Sequence, residues 1–154
     1  MIEVAVKLRF NQHCLGNCRQ NAVRRFLHDA NGNVLFLPTW WAAIMRYAAK
    51  LLNRHQRAVS QIDWDPVVVG RPREYRRFYA PHRYTRHEAF HPGDTITIHA
   101  VLPADITCDD FRELLDVAGR YKGMSPYKPE SRFGTFEVRD VAQGRRPTTQ
   151  NEGQ

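Results

Sequence analysis

Residues 2–10 alternate without a break: Ile2, Val4, Val6, Leu8 and Phe10 fall on one side, and Glu3, Ala5, Lys7 and Arg9 on the other. Successive side chains of a strand point to opposite faces, so the segment reads as a β-strand with one buried face. A helix would scatter the same five apolar groups around its axis. Two later segments repeat the pattern. Between residues 94 and 102, Ile96, Ile98, Ala100 and Leu102 alternate with Thr97, His99 and Val101, and residues 135–141 turn Phe136 and Val138 inward.

Helices are expected to cover that sheet. Pro38 opens the longest one, which runs to about Asn53, because a first-turn proline gives up an N–H that would have had no partner. Trp40, Ile44, Tyr47 and Leu51 make one stripe, with Trp41, Met45, Ala48 and Leu52 beside it. A second helix starts at the cap signal Thr107-Cys108-Asp109-Asp110, carries Phe111, Leu114, Leu115 and Ala118 inward, and stops at Gly119. Ala22, Val23, Phe26 and Leu27 suggest a short helical patch, and Val67 to Val69 a short strand. The order is strand, helix, two weaker strands, a good strand, helix, strand. It predicts an α+β, ferredoxin-like (RRM-like) βαββαβ domain over residues 1–142, with a basic insertion at about 70–92 and a glycine-rich loop before the last strand. Residues 143–154 are polar and are expected to be a disordered tail.

Charge sets the partner question. The chain has 154 residues, a formal net charge of +7 and 42% hydrophobic residues, which suits a polyanion-binding globular protein and excludes wholesale disorder. Only Lys7, Lys50, Lys122 and Lys128 are lysines, so 19 of the 23 cations are arginines (23 − 4). Guanidinium pairs with phosphate through a planar donor fork and stacks on bases. Three cysteines form no disulfide framework, and neither a membrane-spanning apolar run nor a signal peptide is read in the sequence. The expectation is a cytoplasmic protein without a membrane partner.

Two segments carry the binding chemistry. Residues 71–86 hold six arginines among Tyr75, Phe78, Tyr79 and Tyr84, with few aliphatic residues. Arg73, Arg76, Arg77, Arg83 and Arg86 would take phosphates while rings such as Tyr79 take bases, in an extended or hairpin insertion. Residues 119–134 combine Gly119, Gly123 and Gly134 with Arg120, Lys122, Lys128 and Arg132, so that backbone and cations can approach phosphate oxygens together. The open face of the sheet offers Glu3, Ala5, Lys7, Arg9, Thr97 and His99, with no aromatic pair for stacking, so loops rather than the sheet are expected to bind.

His87-Glu88-Ala89-Phe90-His91 matches H-E-x-x-H. A zinc protease needs that motif on a helix, whereas Pro92 and Gly93 follow at once, so it reads as a chance match in a loop. His13, Cys14 and Cys18 are too few for a metal site, and no metal or cofactor is expected. His82, His87, His91 and His99 are candidates for a general base in RNA cleavage.

Two stretches resemble the RAMP superfamily, the RNA-binding backbone proteins of CRISPR effector complexes. Leu-Phe-Leu-Pro-Thr-Trp-Trp-Ala-Ala-Ile-Met-Arg, from Leu35 to Arg46, resembles that family's strand, proline and helix opening, with Trp40, Trp41 and Ala43 where Gly and Ser are usual. Gly119 to Val138 is similar to its glycine-rich loop before the final strand. The chain is also similar to a group of short phage and prophage proteins with the same two signatures. The resemblance implies that Arg46, Gly123, Arg132 and Gly134 contact or support an RNA backbone, and that copies assemble side by side as a homo-oligomer or within a ribonucleoprotein. The expected function is binding of single-stranded nucleic acid, RNA before DNA. The alternatives are a metal-independent endoribonuclease of the same fold and a phage structural or inhibitory protein that meets an acidic protein surface.

Overall fold

Val4, Val6, Leu8 and Phe10 are buried along β1 (Ile2–Phe10), as the alternation predicts. The computed structural model describes residues 1–20, 22–124 and 132–144, and the chain is of mixed α+β class, richer in strand than in helix. After β1 come five short strands, β2 (Cys14–Leu15), β3 (Cys18–Gln20), β4 (Val23–Arg25), β5 (Leu27–His28) and β6 (Val34–Leu35). Helix α1 (Pro38–Leu52) leads to β7 (Asp63–Trp64) and β8 (Val67–Val68). The long strands β9 (Arg73–Ala80), β10 (Arg83–Phe90) and β11 (Thr95–Leu102) precede α2 (Cys108–Tyr121) and β12 (Phe136–Gln143).

Among the described residues the strands form three sheets. The first has the order β12-β1-β11-β7, and every pairing in it is antiparallel. Ile96, Ile98, Ala100 and Leu102 join the β1 residues in its core, under Trp41, Ile44 and Met45 of α1 and Phe111, Leu114 and Leu115 of α2. Trp41 stacks on Trp64 with ring centres 5.1 Å apart. The second sheet is built on β10, which pairs with β9, β2 and β4, and β3 extends it beyond β4. The third is β5-β6-β8. Phe90, at the base of β10, stacks on Phe10 at 5.5 Å and lies 5.2 Å from Phe26, tying the second sheet to the main core.

Several expectations are corrected. Residues 22–27 are not helical: β4 runs parallel to β10 and antiparallel to β3, and strand pairing overrides the apolar spacing. Val67 and Val68 do form a strand, but it pairs with β6, and the fourth strand of the main sheet is Asp63–Trp64, placed by the Trp41–Trp64 stack. Gly119 does not stop α2, which continues to Tyr121. Its missing side chain is what lets the helix approach Phe136, whose Cδ1 would lie 2.3 Å from an added Cβ. The true stop is Gly123, at φ +73. On the open face His99 is buried at 6% exposure, so that face is not open along its whole length. The expected disordered tail lies outside the described residues from 145 onward, while Gln143 ends β12 and the Gly144 amide donates to Glu3.

Candidate nucleic-acid interface

Residues 73–90 form an antiparallel hairpin, turning at Pro81-His82 with His82 at φ 62. Its base is held by Ala89 and Phe90, both buried, while Phe78 and Tyr79 near the tip are about three-fifths exposed (62% and 60%). Directly paired residues of an antiparallel hairpin share a face. One face therefore carries Glu74, Arg76, Phe78, Tyr84, Arg86 and Glu88, and the other carries Arg73, Tyr75, Arg77, Thr85 and His87.

On the first face the rings and cations support one another. Phe78 and Tyr84 lie 5.1 Å apart, and the Arg76 guanidinium sits 5.0 Å from the Tyr84 ring centre. Arg86 is bonded to Glu74, and that contact holds the Glu74 carboxyl below its ordinary range. Glu88 closes the base of this face, accepting from the Phe26 amide and lying 2.7 Å from His28 Nε2.

The second face looks onto the turn before β12. The Arg77 guanidinium lies 5.9 Å from the Phe133 ring centre, so the two basic segments read separately in the sequence meet here. Arg132, at φ 61, accepts at its carbonyl from the Thr135 hydroxyl, and the Gly134 amide donates to the His13 carbonyl at 2.7 Å. Gly123 and Gly134 lie back to back: a Cβ at Gly123 would come 2.8 Å from the Gly134 carbonyl carbon. Met124 then donates to the Gly134 carbonyl, and the buried Cys14 thiol donates to that of Met124. Burial pushes the Cys14 thiol pKa up, so it serves as a neutral donor and not as a thiolate.

His13, Tyr75 and His91 cluster beside this face. His13 stacks on Tyr75 at 3.9 Å and meets His91 edge-on at 4.8 Å. Burial first, and then the neighbouring His91, lower the His13 pKa. The sequence reading passed over His13 as a proton-transfer candidate, and it missed Arg24, whose charge reaches His87 from the neighbouring strand β4. The signal for Arg24 was the Arg24-Arg25 pair, which the helical reading of residues 22–27 hid.

The other expected binding residues are spread out. Tyr79 and Arg83 are exposed near the hairpin tip, and Arg73 is paired with Asp94 at 3.2 Å. Arg46 stands on the exposed side of α1, and Arg120 is held by Asp116 at 3.0 Å on α2, so these two belong to the helices and not to the hairpin. Lys122 lies 5.8 Å from the Tyr47 ring. Lys128 is outside the described residues.

His87 to Phe90 of H-E-x-x-H lie on β10 rather than in a loop, and His91 follows the strand's last residue. A zinc protease needs both histidines one turn apart on a helix, and here the His87 nitrogens face the Gly16 carbonyl and the Thr85 hydroxyl while His91 Nε2 lies 3.2 Å from the Glu74 carbonyl. His87 turns inward to Gly16 and Thr85, and Glu88 turns the other way to His28. Among the described residues no group of three potential ligands is close enough to hold a metal, and no helix is long and apolar enough to cross a membrane. No protein-family model matches the chain, and no curated protein matches it.

Proposed function

We propose that this protein binds the backbone of single-stranded nucleic acid, RNA before DNA, along the β9–β10 hairpin and the turn at 132–134, with little sequence preference. The observation that carries this reading is the approach of Arg77 to Phe133, which merges two arginine-rich, aromatic segments into one surface. Guanidinium groups for phosphates and exposed rings for base faces are the chemistry such a strand needs. The main sheet is read as a ferredoxin-like core because β12-β1-β11-β7 is antiparallel throughout, with α1 between β1 and β7 and α2 between β11 and β12. The RAMP-like reading, and with it assembly of several copies along one strand, rests on Leu35–Arg46 entering α1 and on Gly119–Val138 joining α2 to β12.

Titration of a labelled oligouridylate against salt tests the function. If about four phosphates are neutralised, the log–log slope is about −3. An affinity indifferent to salt would remove the reading.

The His13–His91 pair favours one second reading, metal-independent RNA cleavage. One imidazole would take the 2′-hydroxyl proton as that oxygen attacks the adjacent phosphorus. The other would give a proton to the departing 5′-oxygen, leaving a 2′,3′-cyclic phosphate and a 5′-hydroxyl. Cleavage in the presence of a chelator, lost on His13→Ala, would select this reading. Intact RNA after prolonged incubation would remove it.

A further inference from the structure

A cavity of about 390 Å³ opens between α1 and the chain segments that hold β2, β3 and β4. Its volume is in the range of small-molecule sites, which begin near ~300 Å³. The walls are Phe26, Phe36, Trp40, Ile44 and Met124, and the Phe36 ring centre lies 5.6 Å from that of Phe26 and 6.0 Å from that of Trp40. Arg25 and Lys122 also line it, and both are exposed, so they stand at its mouth. Among the described residues that line it there is no Asp or Glu.

These walls suit a flat apolar body, and the mouth suits negative charge beside it. A nucleotide has that division: a base with two π-faces, and phosphates leading away on either side. The cavity also adjoins the strand-binding surface. Met124 on its wall donates to the Gly134 carbonyl at 2.9 Å, and Gly134 follows Phe133, against which Arg77 lies. The cavity wall and that turn are thus direct hydrogen-bonded neighbours. We propose that the cavity receives one unstacked base of the bound strand, with Arg25 and Lys122 on the flanking phosphates. This rests on the single-strand reading above. Aromatic and aliphatic walls grip the faces of a base without reading its edges, so the pocket is tolerant of sequence.

The three methionines give a direct readout in the unaltered protein. Met124 lines the cavity, Met45 is fully buried in the core, and Met1 is 94% exposed at the chain start. With methyl-labelled methionine, a ten-nucleotide oligoadenylate is expected to shift the Met124 signal by ring current and to leave Met1 and Met45 in place. A strand of equal length without bases is expected to bind on the order of tenfold more weakly and to leave Met124 unmoved. Ala43→Trp, at an exposed position on the cavity's edge, is expected to remove the advantage of the strand with bases. If the oligoadenylate binds by fluorescence anisotropy while Met124 stays still, or if the baseless strand shifts it equally, the pocket is not a base site and the backbone reading survives. If neither strand binds, the single-strand reading falls and takes this inference with it.

Discussion

The His87 imidazole donates through Nδ1 to the Gly16 carbonyl oxygen at 2.7 Å. A carbonyl can only accept, so this contact assigns the ring proton to Nδ1 and leaves Nε2, 2.8 Å from Thr85 Oγ1, to accept the hydroxyl. The neutral ring is thus satisfied on both sides while wholly buried under the hairpin. Burial above all, and then the charges of Arg24 and Arg77, hold its pKa below the ordinary imidazole value, against the pull of the Gly16 bond.

Stability is therefore expected to fall on acidification. Below about pH 6.5 the unfolded chain takes up a proton at His87 that the folded protein resists, and stability drops wherever the unfolded state binds more protons. His13, also lowered, adds in the same direction. His28 acts in the opposite sense. Burial lowers its pKa, but the Glu88 and Gly32 hydrogen bonds outweigh that and raise it, so its contribution is held at low pH and lost as pH rises through the folded value. Thermal unfolding between about pH 5 and pH 8 should show a lower melting temperature at the acid end. His87→Gln should flatten the dependence, and His28→Gln should steepen it. A natural protein that melts higher in acid would contradict the assignment of a neutral His87.

Gly119→Ala separates helix propensity from packing. Alanine is favoured over glycine within a helix by ~0.8–1 kcal/mol. Here the added Cβ would meet the Phe136 ring at 2.3 Å and its carbonyl oxygen at 2.6 Å, and Phe136 is fully buried with no exposed side to turn toward. Overpacking of this kind costs typically ~1–3 kcal/mol, so packing should win and the variant should lose stability. Denaturant unfolding reads this as a lower midpoint at unchanged slope. A midpoint equal to or above that of the natural protein would mean that α2 and β12 can move apart.

What was legible in the sequence follows from how local each signal is. The alternation of β1 and β11, the proline start of α1 and the Thr107–Asp110 capping box each lie within a few residues, and each has its expected place in the fold. Residues 22–27 were misread because the strand character of β4 and β5 comes from β6 and, far away in sequence, β10. Gly119 failed for the same reason, since its role depends on Phe136 across a layer. The arginine-rich hairpin was legible as a segment. Its contact with Phe133 was not, because nothing in either stretch encodes their proximity. The cavity beside Trp40 was likewise invisible, being assembled from residues spread between Cys14 and Met124.

Protein purified without a polyhistidine tag is expected to carry no stoichiometric zinc at H-E-x-x-H. The motif is not helical, with His87 on β10 and His91 just past its end, and both nitrogens of His87 are already engaged. Elemental analysis decides the point. Stoichiometric zinc that disappears on His87→Ala would overturn it.

The last prediction places the binding energy on the hairpin. Arg76 and Arg83 are exposed, and Arg77 is half-buried against Phe133. Exposed substitutions usually shift stability by under ~0.5 kcal/mol, and an exposed cation–π contact adds about 0.5–1 kcal/mol. Replacing all three by alanine should therefore lower the melting temperature only slightly. Binding responds differently, because each lost phosphate contact removes about one unit from the salt slope as well as its share of affinity. The Arg76→Ala, Arg77→Ala, Arg83→Ala triple should bind oligouridylate more than tenfold more weakly, with a visibly shallower slope. Arg112→Ala with Arg139→Ala is the comparison, since it removes exposed charge from α2 and β12. If that pair weakens binding as much as the triple, attraction is diffuse and the hairpin is no site. If the triple instead unfolds the protein, Arg77 on Phe133 is a structural contact and the strand must bind elsewhere.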